Sequence, residues 1–419
     1  MTSVLWVMGA AAAVLGLAVA AELSLRRWWR RWGGYYAWPP GLRFHFYLDR
    51  EVFPELEPLA RIEINADGER AGAVPRAGAS LYRVLVAGGS PVECALLDQP
   101  TSWPSSVERL LKAPDCLRTL GASDVHVGNI GLSGVTAQGL NFMFKHVLPR
   151  YRRLNAILIM VGGNDVASWL AKGCPHSITG DPIIASEIFS CHPEGPFHWT
   201  PRGLALSRLC QQLYCRWVHP VKVRRGAGKW VGRARVMRAG AKELRSFVPD
   251  PTPMLDFFES HLREILGRAT RHADRVLIVQ QPWFETDYTA EDLAKIWHGA
   301  MGNPQQEEVS VYYSIEVVCE LMALLDARAV QVAYELGVET LNLMPRLELS
   351  RRTFYDFIHF TPAGAAAVGE AVTAAILRRT ASGHERRSFS APPHDGDRDG
   401  AEIHFGKVER SAAGSGAST

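Results

Sequence analysis

The chain reads as an α/β protein: a three-layer α/β/α sandwich around a central, mainly parallel, five-stranded sheet. Three observations carry that expectation. From residue 81 to about 380, short apolar runs alternate with stretches of helical apolar spacing, the pattern of parallel strands joined by crossover helices. One run, Ala156 to Val161, is apolar without a break, as suits a strand buried on both faces. Three of the runs end in Gly with Ser or Asn, and in such sheets the site lies beyond the carboxyl ends of the strands.

Taken in order, the chain opens with 18 residues, Val4 to Ala21, that carry no charge. That is just long enough for a membrane-spanning helix. Arg26, Arg27, Arg30 and Arg31 follow, interleaved with Trp28, Trp29 and Trp32, residue types suited to a membrane-water interface. The start Met1-Thr2-Ser3 lacks the Lys or Arg of a signal-peptide n-region, so residues 1–25 are expected to be a retained single-pass anchor. Residues 26–80 read as a juxtamembrane connector. It is punctuated by Trp38-Pro39-Pro40-Gly41 and by the turn-rich 71–75, with a small hairpin strand at Arg61 to Asn65.

The first strand of the sheet is expected at Leu81 to Gly88, running into Gly89 and Ser90. A helix is expected at Trp103 to Leu111, a strand at Val125 to Ile130, and a helix at Thr136 to Leu148. Ala156 to Val161, Arg275 to Gln280 and a weaker Val338 to Leu343 supply the other strands, and an alanine-rich helix runs to about Arg378. The rhythm breaks at about 171–250. Residues 201–245 hold 12 Lys or Arg against one acid, Glu243. This insertion reads as a solvated helical face or as a basic surface against anionic headgroups. No reader fold or stacking pattern accompanies the charge, so no nucleic-acid partner is expected. The tail 381–419 is polar, without periodicity, and is expected to be disordered. Its Asp395-Gly396-Asp397 fragment lacks the spacing of a calcium loop.

A length of 419 residues and a 47% hydrophobic composition allow a substantial core, and a net charge of +3 gives no global reason for a polyanionic partner. Seven cysteines are too few for a disulfide scaffold. Cys174 with Cys191, or Cys210 with Cys215, can be bridged in an oxidising compartment or can remain free thiols. The Cys and His of the insertion match no common zinc spacing. No cofactor or metal is implied.

Ser90, at the end of the first strand, reads either as a helix cap or as a nucleophile, if a base and an orienting carboxylate reach it. Asp356 and His359, three apart on one loop, are a compact way to orient an imidazole. Four blocks occur in order: Gly88-Gly89-Ser90, Asn129 to Gly134, Gly162-Gly163-Asn164-Asp165, and Asp356 to His359. As a set, over residues 81 to 380, they resemble the SGNH (GDSL-type) hydrolase superfamily, and the stretch Asp98 to Pro104 resembles the family's segment after the nucleophile. That resemblance implies a flavodoxin-like sheet, Ser90 as nucleophile, and His359 as base oriented by Asp356. It also implies an oxyanion hole from the Ser90 N–H, the Gly134 N–H and the Asn164 amide. Two departures stand out: Gly89 replaces the usual Asp, and Pro91 follows the serine. The Gly-x-Ser-x-Gly elbow of α/β-hydrolases is absent, since Ser133 has Val135 two residues on.

The expected function is a membrane-anchored serine ester hydrolase acting on acyl or acetyl esters of lipids or glycans. The resemblance implies an extracytoplasmic body, whereas the arginines after the span alone favour the cytoplasm. The other classes are an acyltransferase on cell-surface glycans and a non-catalytic binding module of the same fold.

Overall fold

The computed structural model describes residues 2–75, 80–180, 182–195 and 197–382. Helix α1 (Thr2–Trp32) is continuous and runs beyond the expected span. Its segment from Val4 is long and apolar enough to cross a membrane. Strands β1 (Arg43–Leu48) and β2 (Leu59–Glu63) form an antiparallel pair. The hairpin strand expected at Arg61 to Asn65 therefore exists, but its partner lies upstream at β1 rather than across the Asp67-Gly68 turn, where Ile64 makes a single bridge to Arg70.

The main domain follows with β3 (Leu81–Gly88), α2 (Ser90–Glu93), α3 (Trp103–Leu111) and α4 (Pro114–Leu120). Next come β4 (Asp124–Asn129), α5 (Ala137–Val147), β5 (Leu154–Met160) and α6 (Gly163–Ala171). The insertion holds α7 (Ala185–Ile188), α8 (Ala205–Trp217), β6 (Val221–Ala227), α9 (Lys229–Ala239) and β7 (Glu243–Arg245). The chain then forms α10 (Thr252–His272), β8 (Ala273–Val279), α11 (Ala290–Leu293) and β9 (Val311–Tyr313). It closes with α12 (Ile315–Glu335), β10 (Glu339–Leu341) and α13 (Pro362–Ser382). The expectation for the tail falls outside the described residues from 383 onward.

The five-stranded sheet has the order β10-β8-β5-β3-β4, and every pairing in it is parallel. Counted along the chain this is the 2-1-3-4-5 order of doubly wound flavodoxin-like sheets. The strand order reverses between β3 and β5, where the crevice for a site opens. Side chains alternate between the two faces as strand geometry demands. Leu85, Ala87, Ile157 and Ile159 pack on one side with the apolar faces of α5, α10 and α12. Val84, Val86, Leu158 and Met160 pack on the other with α3 and α13. Each fully buried branched side chain contributes roughly 1.5–3 kcal/mol of transfer free energy, so β5, buried on both faces, anchors the fold.

The connector is built into this body. Glu69 is fully buried, with its carboxylate 2.8 Å from His126 of β4 and 3.1 Å from Arg83 of β3. Arg70, also buried, donates to the carbonyls of Glu93, Cys94 (2.7 Å) and Leu97 (2.8 Å), the loop that follows α2. The insertion joins the connector too: β6 runs parallel to β1, extending the small sheet to β2-β1-β6. All seven cysteines are free thiols, so neither disulfide alternative is realised.

Candidate active site

The site stands at the carboxyl ends of β3 and β5. Residue 90 is the first of α2, whose N-cap is Gly89; no side chain caps this helix, so the cap role considered for Ser90 is not used. Pro91 falls in the first turn, where a backbone N–H has no partner within the helix and a fixed φ is favourable. The proline therefore costs this turn nothing, and its carbonyl accepts from the buried Trp103 indole at 2.9 Å.

His359 and Asp356 come from the loop before α13. His359 Nε2 lies 2.7 Å from Ser90 Oγ. His359 Nδ1 lies 2.9 and 2.8 Å from the two oxygens of Asp356. Asp356 is buried, and its Oδ1 also accepts the N–H groups of Ile358 and His359, while Oδ2 accepts from the Trp297 indole at 3.1 Å. Burial alone would raise this carboxyl, but the charge and hydrogen bond of His359 hold it far below the usual carboxylate range. The arrangement fixes a tautomer: Nδ1 carries the proton shared with the carboxylate, and Nε2 is left to accept from the serine.

The remaining expected residues face the same space. Ser90, Gly134, Asn164, Asp356 and His359 all line one cavity of about 1050 Å³. Gly134 has φ +80°, a conformation that a side chain would strain. Asn164 lies in the first turn of α6, and its amide donates to Val135 O at 2.9 Å. The glycine at position 89 has a physical reason here. A Cβ at 89 would sit 2.7 Å from Asn164 Nδ2, so the glycine gives that amide its place beside the serine.

Three further residues hold the site, and only Glu93 lies outside the blocks read from the sequence. Glu93, buried at the end of α2, accepts the Ser133 N–H and so fixes the residue before Gly134. Burial pushes its carboxyl above the ordinary value, against the pull of that hydrogen bond and of Arg70. Asn129 accepts from Gly131 N and donates to Val92 O, both at 2.8 Å, tying the second block to the first. Asp165 accepts from Ala137 N at 3.0 Å and joins the start of α5 to α6; burial pushes it up to about 7. Asn129 and Asp165 stand in the second and third blocks, whereas nothing local signals Glu93.

The cavity wall comes from both regions outside the core domain. Trp38, Phe44 and Phe46 enter from the connector, and Lys222, Arg224 and Trp230 from the insertion. The register of β1 against β6 pairs Phe44 with Lys222 and Phe46 with Arg224, which sets these four side by side. Lys222 and Arg224 stay exposed at the cavity rim, while two other basic residues of the insertion turn inward. Arg235 donates to the carbonyls of Val52, Lys295 and Tyr355, and Arg238 to those of His298 and Tyr313. These two arginines pin the loops that carry Trp297 and Asp356.

Among the described residues, one group of metal-ligating types is clustered: His298, Asp356 and His359, with ligand atoms within 4.8 Å of one another. Asp356 and His359 are bonded to each other, and a metal there would draw His359 from Ser90. His298 is buried, both its ring nitrogens lack a partner, and burial pushes it down to about 3, so it stays neutral.

No family model and no curated protein matches the chain. Solved structures do. One is a lipolytic protein of the G-D-S-L family from Veillonella parvula, at 9% identity and TM-score 0.38, covering 71% of this chain and 99% of that one. Another is an acetylxylan esterase from Geobacillus stearothermophilus, at 14% identity and TM-score 0.36, covering 71% and 94%. Both likenesses are distant, and the chemistry assigned below rests on the geometry around Ser90.

Proposed function

We propose that the chain is a serine ester hydrolase that works through an acyl-enzyme. The observation that carries this reading is the unbroken run of hydrogen bonds from Ser90 Oγ to His359 Nε2 (2.7 Å) and from Nδ1 to Asp356 (2.8 Å). It ends in a cavity that Gly134 and Asn164 also line. Ser90 Oγ attacks the ester carbonyl as its proton passes to His359 Nε2. The tetrahedral oxyanion that forms takes hydrogen bonds from the N–H groups of Ser90 and Gly134 and from the Asn164 amide. The C–O bond to the alcohol breaks, the alcohol leaves with the proton from His359, and an acyl-Ser90 remains. Water, deprotonated by His359, then attacks this ester, releases the acid and restores Ser90. Asp356 stays ionised throughout and steadies the imidazolium in both halves.

Acyl or acetyl esters of lipids or glycans are the substrate class we favour. The aromatic wall of Trp38, Phe44, Phe46 and Trp230 offers flat apolar faces to an acyl chain or a sugar ring. We further propose that α1 anchors the protein with its body outside the cytoplasm. The full-length protein in detergent is expected to hydrolyse short p-nitrophenyl esters. Ser90→Ala should lower kcat by about 10⁶-fold and Asp356→Asn by about 10⁴-fold, as for other triads. Turnover that survives Ser90→Ala would reject the mechanism.

A further inference from the structure

We propose that the ester substrate is a glycan bearing carboxylate groups, held on a row of aromatic rings beside which stand two cations, Lys222 and Arg224. The proposal rests on the reading of the site as an ester hydrolase. It selects among the substrates of that reading an acidic sugar chain over a neutral one or a lipid.

The row is set by strand geometry. Alternate residues of a strand share a face, so Phe44 and Phe46 of β1 point the same way. Their partners in register are Lys222 and Arg224 on β6, and Ile62 and Ala60 on β2. Ile62 and Ala60 are buried, the two phenylalanines half-buried, and Lys222 and Arg224 exposed. One face of the small sheet thus runs from closed core to open rim, and its aromatic and cationic side chains line the cavity that holds Ser90. Trp38 extends the row: its ring lies 6.0 Å from that of Phe44, which lies 5.9 Å from that of Phe46. The Trp38 indole donates to Gly131 O at 3.1 Å, which fixes this end of the row to the loop that carries Gly134. The row therefore starts beside the proposed oxyanion hole and follows β1 along the cavity wall.

The charge along that wall is unbalanced. Among the described residues neither Lys222 nor Arg224 forms an ion pair. Three acids line the cavity, and each has a partner already: Asp356 holds His359, Glu93 the Ser133 N–H, and Glu307 the Asn303 N–H at 2.8 Å. Edge strands carry Lys and Arg to deter pairing, and Arg225, turned to the other face over Tyr47 at 5.0 Å, answers that need on β6. Lys222 and Arg224 face the aromatic row instead.

This combination selects the ligand. A sugar ring stacks on an aromatic face through its C–H groups and keeps its substituents at the ring edge. A carboxylate there meets an ammonium or, through two parallel hydrogen bonds, a guanidinium. A fatty acyl chain on the same rings would cover the two cations with hydrocarbon, and stripping a charge of water without giving it a partner is costly.

The test compares a short acetylated oligogalacturonate with an acetylated xylooligosaccharide of equal length, using the full-length protein in detergent. Binding to the Ser90→Ala variant is read by calorimetry, and acetate release is read with the parent. The acidic oligomer is expected to bind about tenfold more tightly at low ionic strength, as two exposed charge pairs allow. High salt should shrink that advantage. The ratio of the two affinities should fall to parity when Lys222→Gln and Arg224→Gln are combined, and should persist when Lys222→Arg and Arg224→Lys are combined. Because the ratio is taken within each variant, a general loss of binding does not enter it. Equal binding of the two oligomers before the charge changes would overturn the proposal, and acetate release from both would leave the hydrolase reading standing. Tighter binding of lysophosphatidylglycerol than of the acidic oligomer would assign the cations to a lipid headgroup and overturn the proposal as well. Selective binding of the acidic oligomer with no ester hydrolysed, p-nitrophenyl acetate included, would reject the hydrolase reading and keep the row as an acidic-glycan site.

Discussion

At the scale of single residues, the site depends on close approach as much as on the residues that react. Gly89 has φ −82° and ψ −159°, a backbone conformation open to any residue. Its lack of a side chain is needed only because Asn164 Nδ2 occupies the space a Cβ would take. Gly89→Ala should therefore displace the amide without straining the turn. The expected result is a fall in kcat of about 10²–10³-fold, the loss typical of one oxyanion donor, with a melting temperature near that of the parent. Calorimetry beside ester kinetics checks it; a large fall in melting temperature with kcat intact would refute the assignment of Asn164. Glu93 has a related role further from the serine, since its carboxylate holds the Ser133 N–H and with it the backbone of Gly134.

At the scale of elements, the connector behaves as a wedge in the core domain. Glu69 reaches β3 and β4 through Arg83 and His126. Burial would raise its carboxyl, but the His126 hydrogen bond and the nearby charges hold it down to about 2. A carboxyl lowered on folding contributes stability that is complete above its unfolded value, near 4.5, and is lost as pH falls toward 2. The melting temperature should accordingly drop between pH 4.5 and 2 by more in the parent than in Glu69→Gln, and at pH 7 the variant should be clearly the less stable. Parallel slopes in thermal scans from pH 2 to 7 would remove Glu69 from this role. The same element shows where sequence reasoning stops. β5 is legible because a strand buried on both faces needs an unbroken apolar run, β3 and β8 because each ends in a shorter one, Val84–Ala87 and Val276–Val279, and the block residues Ser90, Asn164 and His359 are legible because each sits at such a strand's end or on the loop before a helix. β1 alternates polar with aromatic residues and pairs with β6 more than 170 residues away; no local pattern announces that. Glu69, Arg70 and Glu93 act through tertiary proximity alone, and a buried charge looks like any surface charge until its partners are known.

At the scale of the whole molecule, three separate stretches of chain close one cavity. The core domain supplies Ser90, Asp356 and His359, the groups proposed to react. The connector supplies Trp38, Phe44 and Phe46, and the insertion supplies Lys222, Arg224 and Trp230. Because the connector continues directly from α1, the cavity wall and α1 are one piece of chain. An extracytoplasmic body makes a simple expectation: Cys210, an exposed free thiol on α8, should react with a membrane-impermeant maleimide on intact cells. Labelling of Cys210 only after lysis would put the body in the cytoplasm. Activity and orientation are independent, so either result leaves the chemistry of the site to be tested by itself.

That chemistry is tested most directly by reacting the full-length protein with a fluorophosphonate and locating the adduct by peptide mass spectrometry. The expected result is a single phosphonyl adduct on Ser90, absent in Ser90→Ala and formed far more slowly in His359→Ala. An adduct on another residue, or reaction at the parental rate without His359, would contradict the account.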